Sequence, residues 1–328
     1  MTRVARWLLL AGVLLFSTIL IWQGLPAVLA TLSVAGAGLL LLPLFHLIPL
    51  WLDAAAIQVF LEGDPSGTTL RDSTLTRWVG ESANSVIPAG QVGGPVLMIR
   101  QLVQRGVQLP EAAAAIIVST TLQLLSQIVF ALIGVAMVAA TSDYVRHTNV
   151  RTALAISFSV LLLLLVAFFL AQRRGLLRSA LGPAARFLAP HRLAGLVEHA
   201  QIIDQAVQRT YARKRQGAAS FGLSLIAWLV GAGEVYLILT LLKAPVSWFN
   251  ALLLESLGQA IRSAGFAIPG SLGIQEGGYV LLAPLAGLHA EVALALSLAK
   301  RAREFLLAAP GLVYLQRFER RPPGTRAG

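Results

Sequence analysis

Hydrophobic positions in this chain run together in long blocks instead of alternating with polar ones. About 20 consecutive apolar residues are enough to cross a bilayer as a helix. The first block is Trp7–Gly24, preceded by Arg3 and Arg6. A second runs from Ala27 to about Leu52 and contains Pro43 and Pro49, where a kink is expected because proline removes a backbone donor. A third covers about Glu111–Ala140. A fourth, Thr152–Ala171, includes the unbroken run Leu161–Leu165. A fifth covers Ala218–Leu242. The last, about Glu291–Leu315, is interrupted by Lys300, Arg301, Arg303 and Glu304. A basic start and an apolar run also fit a signal peptide, but a second long block follows at once, so the first is read as a retained helix.

Composition changes the picture from a two-domain soluble chain to a membrane protein. Of the 328 residues, 56% are hydrophobic and 12% charged, where soluble domains carry about 25% charged residues. That is too little polar surface to coat a globule in water. The absence of cysteine excludes disulfide, thiol and iron–sulfur chemistry, and five scattered histidines give no metal signature. No metal, cofactor or catalytic residue is expected.

The net charge of +11 fits cytoplasmic loops rich in Arg and Lys better than nucleic-acid binding. Between Gln172 and Gln216 lie nine basic residues against Glu198 and Asp204. This loop is therefore placed in the cytoplasm, and counting spans outward puts both termini there. Its helix, around His191–Arg215, is basic and amphipathic. It reads either as a solvated connector or as a surface for anionic headgroups. Most tryptophans (Trp7, Trp22, Trp51, Trp78, Trp228 and Trp248) fall near expected helix ends, as an aromatic belt does.

Two apolar segments, Leu70–Gln108 and Trp248–Leu288, are broken in the middle by Gly, Pro and amide residues. The first carries Glu81, Ser82, Asn84, Pro88, Gly90, Gln91, Gly93 and Gly94. The second carries Glu255, Ser256, Gln259, Arg262, Pro269, Gly270, Gly273, Gln275, Glu276, Gly277 and Gly278. Each follows one plan: Glu-Ser, an amide, Ile-Pro, a glycine-rich bend with Gln, then Gly-Gly. The spacing from Glu to Pro differs, 81 to 88 against 255 to 269. The span count makes the first a hairpin dipping in from the cytoplasm and the second one from outside. Such broken helices in matched, inverted halves point to a transport site near the bilayer midplane. Irregular backbone at that depth has to be buried in protein or line a polar cavity.

The expected fold is thus an all-α polytopic helix bundle in one membrane domain, residues 1–328. About six full spans and two re-entrant hairpins are arranged as an inverted repeat. Its parts are a first helix (1–25), a first repeat (26–140), a linking span (150–171), a basic cytoplasmic loop (172–216), a second repeat (217–318) and a tail (319–328). Charges at membrane depth are costly and face a cavity or each other. The substrate-binding candidates are Glu81, Asn84, Gln91, Glu234, Glu255, Gln259, Arg262, Gln275 and Glu276. The bend candidates are Pro88, Gly90, Gly93, Gly94, Pro269, Gly270, Gly273, Gly277 and Gly278. Each has a structural alternative: Glu234 could pair with Arg262 to hold the bundle, and the Gly-Gly pairs could serve close packing. His46 and Asp53 read as interfacial or as hydrogen-bonded core.

At residues 81–94, with the following Arg100, and at "ESLGQAIRSAGFAIPGSLGIQEGG" (255–278), the chain resembles the flippase-like transmembrane region of lysylphosphatidylglycerol synthase. Within that family it is most similar to the branch encoded beside hopanoid-biosynthesis genes. The resemblance covers about residues 5–318. It implies a multi-pass protein of the bacterial inner membrane that handles a lipid, hopanoid or phospholipid, with lipid-biosynthesis enzymes as further partners and no nucleic acid. No aminoacyl-transferase domain follows, so lysine transfer is not expected. Two alternatives stay open. One is a membrane-embedded enzyme like the polyprenyl-diphosphate phosphatases, with Ser271 and Arg262 as its only candidates. The other is a non-transporting accessory subunit of lipid biosynthesis.

Overall fold

The first long helix shows how the sequence builds the bundle. In the computed structural model a 3-10 turn, Gly36–Leu40, leads into α1, Leu41–Leu61. Pro43 sits in the first turn, where a missing N–H costs nothing, and the helix runs on through Pro49. It also continues past Leu52, where the apolar block ends, because the charge of Asp53 is paired inside the bundle with Arg77 at 2.9 Å. The structure describes residues 32–86, 93–141, 190–265 and 271–319, with isolated positions Thr18, Ala30, Leu163 and Ile268. The expected helix Trp7–Gly24, the span Thr152–Ala171, the loop 172–189 and the tail from 320 lie outside the described residues.

Eight further α-helices follow among the described residues: α2 (Leu70–Val86), α3 (Gly93–Gln104), α4 (Leu109–Thr141), α5 (Pro190–Ala212), α6 (Lys214–Leu241), α7 (Trp248–Ala264), α8 (Ile274–Leu282) and α9 (Ala290–Glu319). None of the described residues forms a strand. Local signals set several starts. Thr69 and Asp72 cap α2 reciprocally, the Thr69 amide donating to Asp72 Oδ2 at 3.0 Å and the Asp72 amide to Thr69 Oγ1 at 3.4 Å. Ser247 caps α7 by accepting the Asn250 amide at 3.2 Å. Three stretches, Leu32–Leu61, Leu109–Val138 and Lys214–Leu241, are long and apolar enough to cross a membrane. The protein is a membrane helix bundle.

α1 and α6 pack antiparallel: Gly38 lies against Leu241, Phe45 against Gly233, and Arg213 donates to the Phe60 carbonyl at 3.5 Å. α2 and α3 fold back on each other, with Asp72 beside Arg105, Gly80 beside Met98 and Asn84 beside Gly94. α7 and α8 do the same, with Gly258 against Tyr279 and Gly265 against Ile274. α2 then packs on α1 and α9, and α7 on α6 and α4. At the seam of α2 with α9, a Cβ on Gly311 would stand 3.0 Å from Ser82 Cβ. At the seam of α7 with α4, a Cβ on Gly134 would stand 2.9 Å from Ser256 Cβ. Both are closer than side chains tolerate, so these seams need glycine.

Two apolar clusters hold the bundle. One gathers Leu42 of α1 with Ile238 and Leu239 of α6, Leu254 of α7, Leu282 of α8 and Leu294 and Leu296 of α9. The other gathers Ile57, Phe60 and Leu61 from the far end of α1 with Met98 and Leu102 of α3, Ile116 of α4 and Ala206 and Val207 of α5. The hairpin of α7 and α8 is rooted in the first cluster, and that of α2 and α3 in the second. Burial of each large apolar side chain contributes about 1.5–3 kcal/mol, so each hairpin is anchored mainly at its root. The basic helix expected around His191–Arg215 is present as α5. It docks on α4 through its apolar face, while Arg209 and Glu111 form an exposed pair at 3.5 Å.

Two expected belt tryptophans belong to the interior packing. Trp78 stacks on Tyr314 and donates to the Leu307 carbonyl at 3.0 Å. Trp228 stacks on Phe130 and donates to the Gln123 carbonyl at 3.4 Å. Both half-buried indoles thereby find an acceptor for their N–H group within the protein. Trp51 and Trp248 are exposed, as a belt requires, and Trp7 and Trp22 lie outside the described residues.

Candidate functional site

Between the two apolar clusters α1 carries His46 and Asp53, seven residues apart and on one face. Around them lies a layer of charged side chains contributed by α1, α2, α6, α7, α8 and α9. Its centre is His46. Nε2 lies 2.8 Å from Glu81 Oε1 on α2, and Nδ1 lies 2.9 Å from Glu234 Oε2 on α6. Arg303 of α9 reaches Glu234 Oε2 at 3.2 Å and also contacts His46 Nδ1. Its other nitrogen, Nη2, donates to Glu304 Oε1 at 3.4 Å, and Glu304 in turn accepts from Arg262 of α7. Arg262 Nη1 also donates to Gln275 Oε1 at 2.9 Å, tying α7 to α8.

Two closed pairs flank this centre. Glu255 accepts from Lys300 Nζ at 2.6 Å, from Gln259 Nε2 at 2.8 Å and from the Tyr279 hydroxyl at 3.2 Å. Glu276 accepts from Arg301, with Nη2 at 3.1 Å, and from the Gly273 amide at 2.7 Å. Gly273 sits at φ +78° at the start of α8, a conformation that favours glycine. The Glu276 carboxylate thus satisfies an otherwise unpaired N–H at a helix start. Gln275 Nε2 donates to Ser297 Oγ at 2.9 Å. On the other side of the centre, Asp53 accepts from Arg77 at 2.9 Å and from Gln123 Nε2 at 2.5 Å. Asp53, Arg77, Ser119, Gln123 and Ser224 line a small polar cavity there.

The layer is not equally buried. The side chains of Glu255, Lys300, Glu276 and Arg301 are at most 8% exposed, but Glu81 is 26%, Arg262 20%, Arg77 17%, His46 16% and Asp53 12% exposed. The most accessible carboxylate is thus Glu81 of α2, and the most accessible cation is Arg262 of α7. A carboxylate accepts and a guanidinium donates, so these two partly exposed side chains suit polar groups of opposite kind.

The structure brings Glu81, Glu234, Glu255, Gln259, Arg262, Gln275 and Glu276 into this one layer. Asn84 serves the hairpin itself, accepting the Gly94 amide at 2.9 Å. Gln91, Pro88, Gly90, Pro269 and Gly270 lie outside the described residues. Gly93 opens α3, and a Cβ on Gly94 would stand 2.5 Å from the Gly80 carbonyl oxygen. Gly277 and Gly278 lie within α8, where Gly278 faces Ile261. Glu234 pairs with Arg303 and His46 instead of Arg262, because the side chains of Arg303 and Glu304 stand between them. His46 and Asp53 are paired inside the bundle, as the hydrogen-bonded-core alternative has it. Ser271 Oγ donates to the Arg262 carbonyl at 3.0 Å and so closes the end of α7. Sequence reasoning left Lys300, Arg301, Arg303 and Glu304 out of the site. Their signal was present: four charges in an otherwise apolar helix do not face lipid.

The family model of the lysylphosphatidylglycerol synthase TM region matches residues 9–311. No curated protein matches the chain.

Proposed function

Because the chain belongs to the lysylphosphatidylglycerol synthase TM-region family, a membrane family tied to lipid metabolism, we propose that it moves a lipid across the bacterial inner membrane. The headgroup passes through the charged layer while the apolar tail stays in the surrounding bilayer. In this reading residues 26–140 and 217–318 are an inverted repeat. The two hairpins are re-entrant from opposite faces, about six helices span the bilayer, and both termini are cytoplasmic. The pairing of α1 with α6, α2 with α7, α3 with α8 and α4 with α9 supports it, since α2 packs on α1 and α9 while α7 packs on α6 and α4. The roots of the two hairpins in apolar clusters at opposite ends of α1 support it too.

The single observation that carries the proposal is the partial exposure of Glu81 and Arg262 in an ionic layer whose pairs Glu255–Lys300 and Glu276–Arg301 are buried. The substrate is a lipid whose headgroup has donors and acceptors, a polyol hopanoid or a phospholipid. The test is reconstitution in liposomes with fluorescent phosphatidylethanolamine and with a hopanoid polyol as competitor. Transport predicts protein-dependent equilibration between leaflets that slows about tenfold in Glu81→Gln and Arg262→Gln, equivalent to about 1.4 kcal/mol on the barrier. Rates in these variants equal to those of the intact protein would refute it.

One observation favours a second reading, a non-transporting subunit of lipid synthesis. Glu255 with Lys300 and Glu276 with Arg301 are satisfied wholly within the chain. Under that reading, removing the protein would lower the amount of a lipid product instead of changing its distribution between leaflets.

A further inference from the structure

Charge arithmetic in the buried layer leaves one position open. Among the described residues it holds six carboxylates (Asp53, Glu81, Glu234, Glu255, Glu276 and Glu304) and five cations (Arg77, Arg262, Lys300, Arg301 and Arg303). Three carboxylates are matched one to one: Asp53 by Arg77, Glu255 by Lys300 and Glu276 by Arg301. The remainder is Glu81, Glu234 and Glu304 against Arg262 and Arg303. The layer is one positive charge short, and an uncompensated charge is among the costliest groups to bury. Glu234 repeats the deficit locally: its Oε1 is buried without a partner, while His46 and Arg303 both crowd its Oε2.

His46 is the one side chain here that gains or loses a charge near neutral pH. Its ring nitrogens face two carboxylates, which only accept, so satisfying both requires N–H on both nitrogens, an imidazolium. Arg303 also contacts Nδ1, and a donor there suits the lone pair of a neutral ring. The ring thus has partners for two states. Protonated, it donates to Glu81 and Glu234. Neutral, it donates from Nε2 to Glu81 and accepts from Arg303 at Nδ1. The facing groups from each neighbouring helix are Glu81 and Arg77 of α2, Glu234 of α6, and Lys300, Arg303 and Glu304 of α9, with Asp53 on its own helix. Among the described residues α4 presents uncharged side chains to the layer, Ser119, Gln123 and Gln127.

We infer that His46 is a proton-binding site, holding the sixth positive charge of the layer and exchanging its proton with water. On release the bond from Nδ1 to hydrogen breaks, the proton passes to water, Nε2–H stays on Glu81, and Nδ1 takes a hydrogen bond from Arg303. The coupling of this proton to lipid movement rests on the transport reading above; the site itself does not.

The test is nitrogen NMR of the full chain in lipid nanodiscs with labelled histidine. Of the five histidine signals, that of His46 is assigned by its loss in His46→Gln. The expected result is a doubly protonated ring at about pH 7 that becomes singly protonated in Glu234→Gln. A neutral ring from about pH 5 to pH 8 would overturn the inference and leave the transport reading standing. His46→Lys supplies a fixed cation, so it folds even where His46→Gln does not. In liposomes with fluorescent phosphatidylethanolamine, flux through the intact protein changes severalfold with a pH gradient and flux through His46→Lys does not. Equal pH dependence in both overturns the coupling. A protonated His46 in a protein that moves no lipid at any pH overturns the transport reading instead.

Discussion

The hairpin of α2 and α3 and the hairpin of α7 and α8 solve one backbone problem with different chemistry. In each, a side chain accepts an amide N–H at the start of the returning helix. In the first it is the neutral amide of Asn84, on Gly94 at 2.9 Å; in the second it is the carboxylate of Glu276, on Gly273 at 2.7 Å. An amide needs no counterion. A buried carboxylate does, and Arg301 of α9 supplies it. That one choice makes the bend of the second hairpin part of an ionic layer fixed to α9, while the first closes its bend without a charge and turns the carboxylate of Glu81 toward the same layer.

The largest effect should come from breaking the charged solution. Arg301→Ala leaves Glu276 buried and uncompensated and should destabilise the protein by about 3–5 kcal/mol. Asn84→Ala, the counterpart change in the first hairpin, should cost about 1–3 kcal/mol by leaving the Gly94 amide unsatisfied. Thermal unfolding in detergent compares the two, and equal losses would abolish the distinction. Next come the seams that the hairpins share. Gly311→Ala and Gly134→Ala should each cost about 1–3 kcal/mol by overpacking, and by similar amounts. Ser82→Gly and Ser256→Gly, respectively, should restore stability, because the clash is with those two side chains. A cost at only one seam would show that the hairpins are not equivalently packed.

A smaller effect separates the accessible Glu81 from the closed pairs. Glu81→Gln leaves the partly exposed carboxamide hydrated and should cost under about 2 kcal/mol of stability while slowing lipid movement about tenfold. Glu255→Gln strands Lys300 and should lower the unfolding temperature more than Glu81→Gln does. Measuring flux and unfolding on the same two variants decides it. The smallest effect belongs to Arg209→Ala at the exposed pair with Glu111, which should change stability by less than about 0.5 kcal/mol.

Much of this was legible before the fold. The helices of residues 109–141 and 214–241 follow from apolar length alone. The Glu-Ser motif falls on α2 and α7, where Ser82 and Ser256 each meet a glycine of a long helix. Legibility failed where the determining contact lies far along the chain. Asp53 looked like the end of a span, but Arg77 and Gln123 neutralise it within the bundle, so α1 continues to Leu61. Glu234 and Arg262 looked like partners, but Arg303 and Glu304 stand between them.

The sequence by itself determined the solvent and the elements. A chain with so few charges cannot coat itself against water, and unbroken apolar blocks have no other low-energy state than membrane helices whose backbone bonds are internal. It also determined that the few deep charges had to face each other, since none can be left to lipid. Only the tertiary structure decided which charge meets which. Ion pairing at this depth depends on distances of a few ångströms between side chains as much as 257 residues apart, as His46 and Arg303 are. Those distances are set by which helices pack together, which the local pattern of residues does not contain.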